Sequence, residues 1–177
     1  RNPDIIHLVH DNQIYGLTKG QASPTTGEDM ITDVQPEGVN ADPFEPINFA
    51  LGMKASFVAR GFVGEGDHLK ELIKAAFNHR GYALIDILQP CVSFNKINTY
   101  QWYQKRVYKL SEDYDETDYR AALEKAEEWG DEIPIGIIYR NEKPIFRDKF
   151  SQLDDTPLVE KEVDFENRKE KVLGDFV

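Results

Sequence analysis

Ser56-Phe57-Val58-Ala59-Arg60-Gly61-Phe62, then Asp67-His68-Leu69-Lys70-Glu71-Leu72-Ile73-Lys74-Ala75-Ala76-Phe77, then Tyr82-Ala83-Leu84-Ile85-Asp86-Ile87-Leu88: these three runs decide the fold. The first is short and largely apolar and reads as a strand. The second places Leu69, Leu72, Ile73, Ala76 and Phe77 at the spacing of one helix face. Gly81 follows at the C′ position, where a residue without Cβ turns the chain most easily. The third run is almost continuously apolar, as expected of a strand covered on both faces. Strand, helix, strand in that order predicts a parallel α/β unit, a parallel sheet flanked by helices.

Upstream, Ile5 to Val9 is a β-branched-rich run stopped by Asp11-Asn12, which predicts another buried strand. The chain enters this run almost at once, after Arg1-Asn2-Pro3, and is read as part of a longer subunit. Tyr15 to Pro46 is rich in Gly, Pro, Thr, Ser and Asp. A loop of that length in a compact domain is usually functional or disordered. Asn48 to Lys54 has room for one or two helical turns.

Downstream, Tyr100 to Leu110 and Thr117 to Trp129 are predicted helices, the second followed by Gly130. Ile133 to Arg140 and Lys143 to Phe150 are predicted strands of a hairpin. Thr156 to Val177 is charged and sparse in apolar residues, and is expected to be an arm on a partner subunit or a tail. The expected division is a cofactor-binding domain over residues 1–110 and a helical and hairpin extension, with its arm, over residues 111–177. No internal repeat is found.

The formal net charge of −11 disfavours nucleic acid and anionic lipid as partners. No apolar stretch approaches the length of a membrane span. Cys91 is the single cysteine, which rules out a disulfide within the chain and fits a reducing, cytoplasmic setting.

The sharpest local feature is Asp11-Asn12-Gln13-Ile14-Tyr15-Gly16-Leu17-Thr18-Lys19-Gly20-Gln21-Ala22-Ser23-Pro24-Thr25-Thr26. Open parallel sheets bind ligands beyond the carboxyl ends of their strands, and a strand ending in Asp-Asn puts hard oxygen ligands there. Magnesium favours such oxygens together with substrate phosphates. A bare Asp-Asn pair is also a common turn, and the pair alone leaves both readings open. His7 and His10 alternate with the apolar residues of the first strand and read more readily as edge or core histidines than as ligands. Arg60 is equally an anion site or a structural ion pair. Tyr100, Trp102, Tyr103 and Tyr108 read as packing aromatics.

The longer string resembles the thiamine diphosphate segment of 2-oxoacid:ferredoxin oxidoreductase β subunits, with its Asn-Asn-x-x-Tyr-Gly-Leu-Thr-Gly/Lys-Gly-Gln-x-Ser-Pro-Thr pattern. Ala50-Leu51-Gly52, Ser56 to Gly61 and Tyr82 to Cys91 continue the resemblance, which covers the first hundred residues well and the rest loosely. It implies a thiamine diphosphate-binding fold. It implies that Asn12 gives its side-chain oxygen, and Ile14 its backbone carbonyl, to a Mg2+ clamping the cofactor's diphosphate. Asp11 stands where many relatives have the first Asn, adding a negative charge near the metal. Tyr15, Gly16, Leu17 and Thr18 would line the cofactor. Lys19 would serve as the catalytic cation for a carboxylate or phosphate. Cys91, in Gln-Pro-Cys, would be one of four thiolates on a [4Fe–4S] cluster. The other three thiolates and the second magnesium motif, Gly-Asp-Gly, would lie upstream of Arg1.

By the same resemblance the activity would be coenzyme A-dependent oxidative decarboxylation of a 2-oxoacid, pyruvate or 2-oxoglutarate, with electrons passed to ferredoxin. The partners would be an α subunit, with or without γ and δ subunits, and the activating glutamate of the cofactor would come from a partner chain. Two alternatives remain at the level of sequence: a non-redox thiamine diphosphate-dependent decarboxylase or transketolase-like enzyme, and a non-catalytic assembly fragment.

Overall fold

The computed structural model describes residues 2–150, 156–160 and 174. The described elements are β1 (Ile5–Asp11), β2 (Ile14–Tyr15), β3 (Gln21–Ala22), α1 (Pro46–Gly52), β4 (Phe57–Phe62), α2 (Gly66–Asn78), β5 (Tyr82–Leu88), α3 (Tyr100–Gln104), β6 (Val107–Lys109), α4 (Tyr119–Glu127) and β7 (Ile133–Arg140). Five strands form one sheet in the order β1-β5-β4-β7-β6. β1, β5 and β4 run parallel, β7 lies antiparallel beside β4, and β6 lies parallel beside β7. β2 and β3 make a separate antiparallel pair.

The strand–helix–strand unit read from residues 56–88 is present as β4-α2-β5. Every residue of β4 is buried, and so is every residue of β5 after Tyr82, because the sheet is covered on both sides. α2 covers one face, packing Leu69, Leu72, Ile73 and Ala76 on Phe57, Ala59, Ala83, Ile85 and Ile87. α1 and α4 cover the other, packing on Val58, Leu84 and Ile138. Gly61 lets α2 approach closely: a Cβ there would stand 2.7 Å from Leu69 Cδ1. Phe77, read as part of the apolar face of α2, is exposed. It lies one residue, about 100° of helical rotation, past Ala76 at the end of the buried stripe.

Gly81 lies at φ +135°, but one position later than expected, since α2 ends at Asn78 with His79 as its cap. The crowding around it comes from Asn2. The Asn2 side-chain oxygen accepts from Ser56 Oγ at 2.7 Å and from the Tyr82 N–H at 3.0 Å, and its amide donates to the carbonyls of Lys143 and Pro144. One residue thereby joins the starts of three strands to the segment after β7.

Three expectations need correction. β1 is an edge strand with Ile5, Ile6 and Leu8 exposed, not a buried one. The predicted helix over Tyr100 to Leu110 stops at Gln104. A turn closed by the Arg106 N–H on the Tyr103 carbonyl follows, and Val107-Tyr108-Lys109, β-branched and aromatic, pairs with β7 as β6. The hairpin is absent: β4 and β6 occupy both edges of β7, and Lys143 to Phe150, interrupted by Pro144, forms a loop with a 3-10 turn at Arg147–Lys149. β7 and α4 follow residue 110, yet they share a sheet and a core with β4 and α1. Most of the expected arm over 156–177 lies outside the described residues.

Candidate functional site

The site begins where β1 ends. After Asp11 the chain turns sharply, with Gln13 in the left-handed region at φ 54°. Asn12 Oδ1 accepts the Ile14 N–H at 3.1 Å, an Asx turn that the short Asn side chain closes by itself. Asp11 Oδ1 accepts the Gln13 N–H at 3.2 Å and the Thr25 hydroxyl. Thr26 Oγ1 donates to the Gln13 carbonyl at 2.6 Å, and the Ser23 N–H donates to Thr26 Oγ1 at 2.8 Å. The Ser-Pro-Thr-Thr end of the motif is therefore folded back on its beginning. Between them, β2 and β3 form a small hairpin whose turn is closed by the Lys19 N–H on Gly16 and the Gly20 N–H on Tyr15.

A second loop braces this one. Asn95, buried in the middle of the β5–α3 connection, donates its amide to the Asn12 carbonyl at 3.4 Å. Its oxygen accepts the N–H groups of Ile97 and Asn98, and Asn98 donates to the Gln13 side chain. The Asn95 N–H is bonded to the Cys91 carbonyl at 3.0 Å. Cys91 itself touches the motif loop: a Cβ on Gly16 would lie 3.4 Å from Cys91 Sγ. Asn95 and Asn98 escape a reading of the sequence, where they look like ordinary loop polars.

Asp11, Asn12, Tyr15, Ser23, Pro24 and Thr25 line one end of a cleft of about 760 Å³, within the usual size of a small-molecule site. Phe44, Phe49, Ala50, Met53 and Leu84 make its apolar wall, and His7, His10, Tyr82 and Lys143 add polar groups. His7 Nδ1 is hydrogen-bonded to Tyr82 Oη at 2.9 Å and His10 Nδ1 to Gln89 Oε1 at 2.6 Å. Of the residues expected to hold metal or cofactor, Asn12 and Tyr15 line the cleft. Ile14 is buried beside it. Gly16, Leu17, Thr18 and Lys19 form the hairpin tip outside the cleft lining, with Leu17, Thr18 and Lys19 exposed.

Beneath the turn lies a charged layer. The sheet register sets Arg60 directly beside Asp86 and places Asp11 diagonally across from Asp86, all on the α1/α4 face. All three are buried. Arg60 Nε is 3.7 Å from Asp86 Oδ2, and Arg60 stacks over Trp129. Burial pushes the Asp86 carboxyl up to about 7, and Asp11 adds to the rise while Arg60 opposes it. At that separation the attraction is weaker than the cost of desolvation. Burial raises Asp11 too, against the Thr25 and Gln13 hydrogen bonds and the Arg60 charge.

Among the described residues no three His, Cys, Asp or Glu side chains converge as a metal site. A cation in the cleft would therefore rely on amide, carbonyl and ligand oxygens. A hard divalent ion fits that donor set: Asn12 offers a neutral oxygen, Asp11 a charge immediately behind it, and magnesium takes few protein groups when phosphates complete its shell.

Residues 1–87 match the family described as thiamine pyrophosphate enzyme, C-terminal TPP binding domain, and residues 91–155 match the family described as the C terminal of the pyruvate ferredoxin oxidoreductase beta subunit. The chain is 44% identical to a Sulfolobus 2-oxoacid:ferredoxin oxidoreductase subunit beta, over 92% of this chain and 60% of that protein. It is 43% identical to an Aeropyrum pernix 2-oxoacid:ferredoxin oxidoreductase 1, subunit beta, over 86% of this chain and 52% of that protein. It thus spans little more than half the length of these relatives. A 2-oxoglutarate:ferredoxin oxidoreductase from Magnetococcus marinus, solved with 2-oxoglutarate, coenzyme A and succinyl-CoA bound, superposes with a TM-score of 0.86 at 34% identity, covering 97% of this chain and 58% of that one.

Proposed function

The chain belongs to the family of 2-oxoacid:ferredoxin oxidoreductase β subunits, and on that footing we propose that it holds Mg2+ and thiamine diphosphate at the Asn12 turn. It does so as part of a cytoplasmic multi-subunit enzyme that oxidatively decarboxylates a 2-oxoacid, passes acyl groups to coenzyme A and passes electrons through a [4Fe–4S] cluster to ferredoxin. One observation carries the reading: a turn rich in oxygen ligands, at the carboxyl end of a parallel strand, lines a cleft of about 760 Å³.

When bound, the cofactor supplies a carbanion for the keto carbon of a 2-oxoacid and a ring system that accepts the electrons released by decarboxylation. This chain's work is placement. Asn12 and the Ile14 carbonyl would hold the metal, and the Asn95 amide on the Asn12 carbonyl braces the turn. Phe44, Phe49 and Met53 give the cleft an apolar wall. Lys19, on the exposed hairpin tip, would offer a point charge to an incoming carboxylate or phosphate. Cys91 lies beside Gly16 of the motif loop and would give one thiolate to the cluster, whose other thiolates would come from outside residues 1–177.

The test is 2-oxoacid- and coenzyme A-dependent reduction of ferredoxin by the assembled complex, with Cys91→Ser as the variant. Retained thiamine diphosphate binding with loss of the cluster's visible absorption and of ferredoxin reduction is expected. Full ferredoxin reduction by Cys91→Ser contradicts the cluster role.

A further inference from the structure

The layer under the metal turn contains more unmet hydrogen-bonding capacity than a purely structural ion pair explains. Arg60 Nε and Nη1 and Asp86 Oδ1 are buried without a hydrogen-bond partner. Arg60 keeps one long bond, Nη2 to the Ala126 carbonyl at 3.4 Å. Orphaned buried polar groups are costly, so such an arrangement is retained for a reason or completed by solvent. A cavity of about 90 Å³ opens at this point, lined by Asp11, Gln13, Glu45, Arg60, Asp86 and Trp129. That volume has space for a few waters at about 30 Å³ each, and the polar groups of Asp11, Gln13, Arg60 and Asp86 offer them partners.

The geometry points to Arg60 as a positioning residue for the Asn12–Ile14 turn, acting through the shared hydrated cavity on Asp11, an inference that rests on the metal site proposed above. Asp11 is the link. One of its oxygens holds the Gln13 N–H and the Thr25 hydroxyl, the two bonds that shape the turn from below. A second buried carboxylate, Asp86, stands diagonally across the sheet, and Arg60 is the cation whose charge reaches both. Without Arg60, Asp11 loses the cation that offsets its burial beneath the turn, and it moves away from the cavity toward solvent. Gln13, already held at positive φ, then loses its anchor, and the Asn12 oxygen is no longer preset for the metal. Groups behind metal ligands act in this way: they orient the ligand without touching the ion.

The test is the Mg2+ concentration that gives half-maximal thiamine diphosphate binding to the assembled complex, followed by intrinsic fluorescence, with melting temperature measured in parallel. Arg60→Met is expected to raise that concentration about 10- to 100-fold, while affinity for the cofactor at saturating Mg2+ stays within about twofold of wild type. Arg60→Lys, which keeps the charge and guards against misfolding of the first variant, is expected to fall between the two. The double variant Arg60→Met/Asp86→Leu replaces both charges by apolar groups and is expected to regain melting temperature while keeping the raised Mg2+ requirement. The inference is overturned if the Arg60 variants keep the wild-type Mg2+ midpoint, if they weaken binding equally at saturating Mg2+, or if the double variant restores the midpoint together with stability. A wild-type complex that shows no Mg2+-dependent binding overturns the site assignment itself.

Discussion

The two faces of the central sheet are built from the same strands and do opposite things. Beneath α2, Phe57, Ala59, Ile85 and Ile87 meet Leu72 and Ala76 in an unbroken apolar layer. Beneath α1 and α4, the alternate residues of the same strands begin apolar, with Val58 and Leu84. They then become charged at Arg60, Asp86 and Asp11 and return to apolar at Phe62 and Leu88. The charged band stands directly under the turn that enters the cleft. One face is spent on stability, and the other gives up stability at one level to set up a site. Natural sequences break local folding rules at functional positions in this manner.

That contrast can be broken from either side. The largest effect is expected at Phe57→Ala, which empties a fully buried position on the α2 face. Urea denaturation should show a loss of about 3–5 kcal/mol, with cofactor affinity of the folded protein unchanged. If affinity falls with stability, the two faces are not separable.

Asp86→Asn probes the charged face through pH. The Asp86 carboxyl is raised from an ordinary 3.8 to about 7, chiefly by burial and then by Asp11. Between those values the native state binds more protons than the unfolded chain, so its stability falls as pH rises through that window. The slope due to this group is at most about 1.4 kcal/mol per pH unit. Asp86→Asn should flatten it in denaturation curves taken from pH 4 to pH 8; an unchanged slope would mean that Asp86 is not the group responsible.

Gly61→Ala sharpens the packing side. The added carbon would stand 2.7 Å from Leu69 Cδ1, and overpacking of this kind costs about 1–3 kcal/mol. A neutral result in thermal melts would show that α2 shifts freely. Thr25→Val is the smallest, removing one hydroxyl from Asp11 for about 1 kcal/mol, again by denaturation.

The sequence made the α2 face legible because its signals are local. Leu69, Leu72, Ile73 and Ala76 repeat at helical spacing, and the strands on either side are short and apolar. The edge position of β1 was not legible, since an exposed Ile-Ile-His-Leu run reads the same as a buried one. The placement of β7 and β6 depended on which sheet edges were free, a long-range matter that no hairpin signal in Arg140 to Lys143 could report. At the site, Asn12 and Tyr15 were marked by the motif, and both line the cleft. The hairpin tip from Gly16 to Lys19 was marked equally, and it lies outside the cleft lining. Asn95 and Asn98 carried no signal, because their partners, Asn12 and Gln13, lie more than eighty residues away. Arg60 and Asp86 sit in separate strands, and only the β4–β5 register makes them neighbours.

The most direct test is calorimetric titration of the full-length β chain, in its complex, with thiamine diphosphate at saturating Mg2+, for wild type and Asn12→Ala. Binding by the wild type, and an affinity about 100-fold lower in the variant with an unchanged melting temperature, is the predicted result. Equal affinity in the two proteins would contradict the placement of the metal at the end of β1.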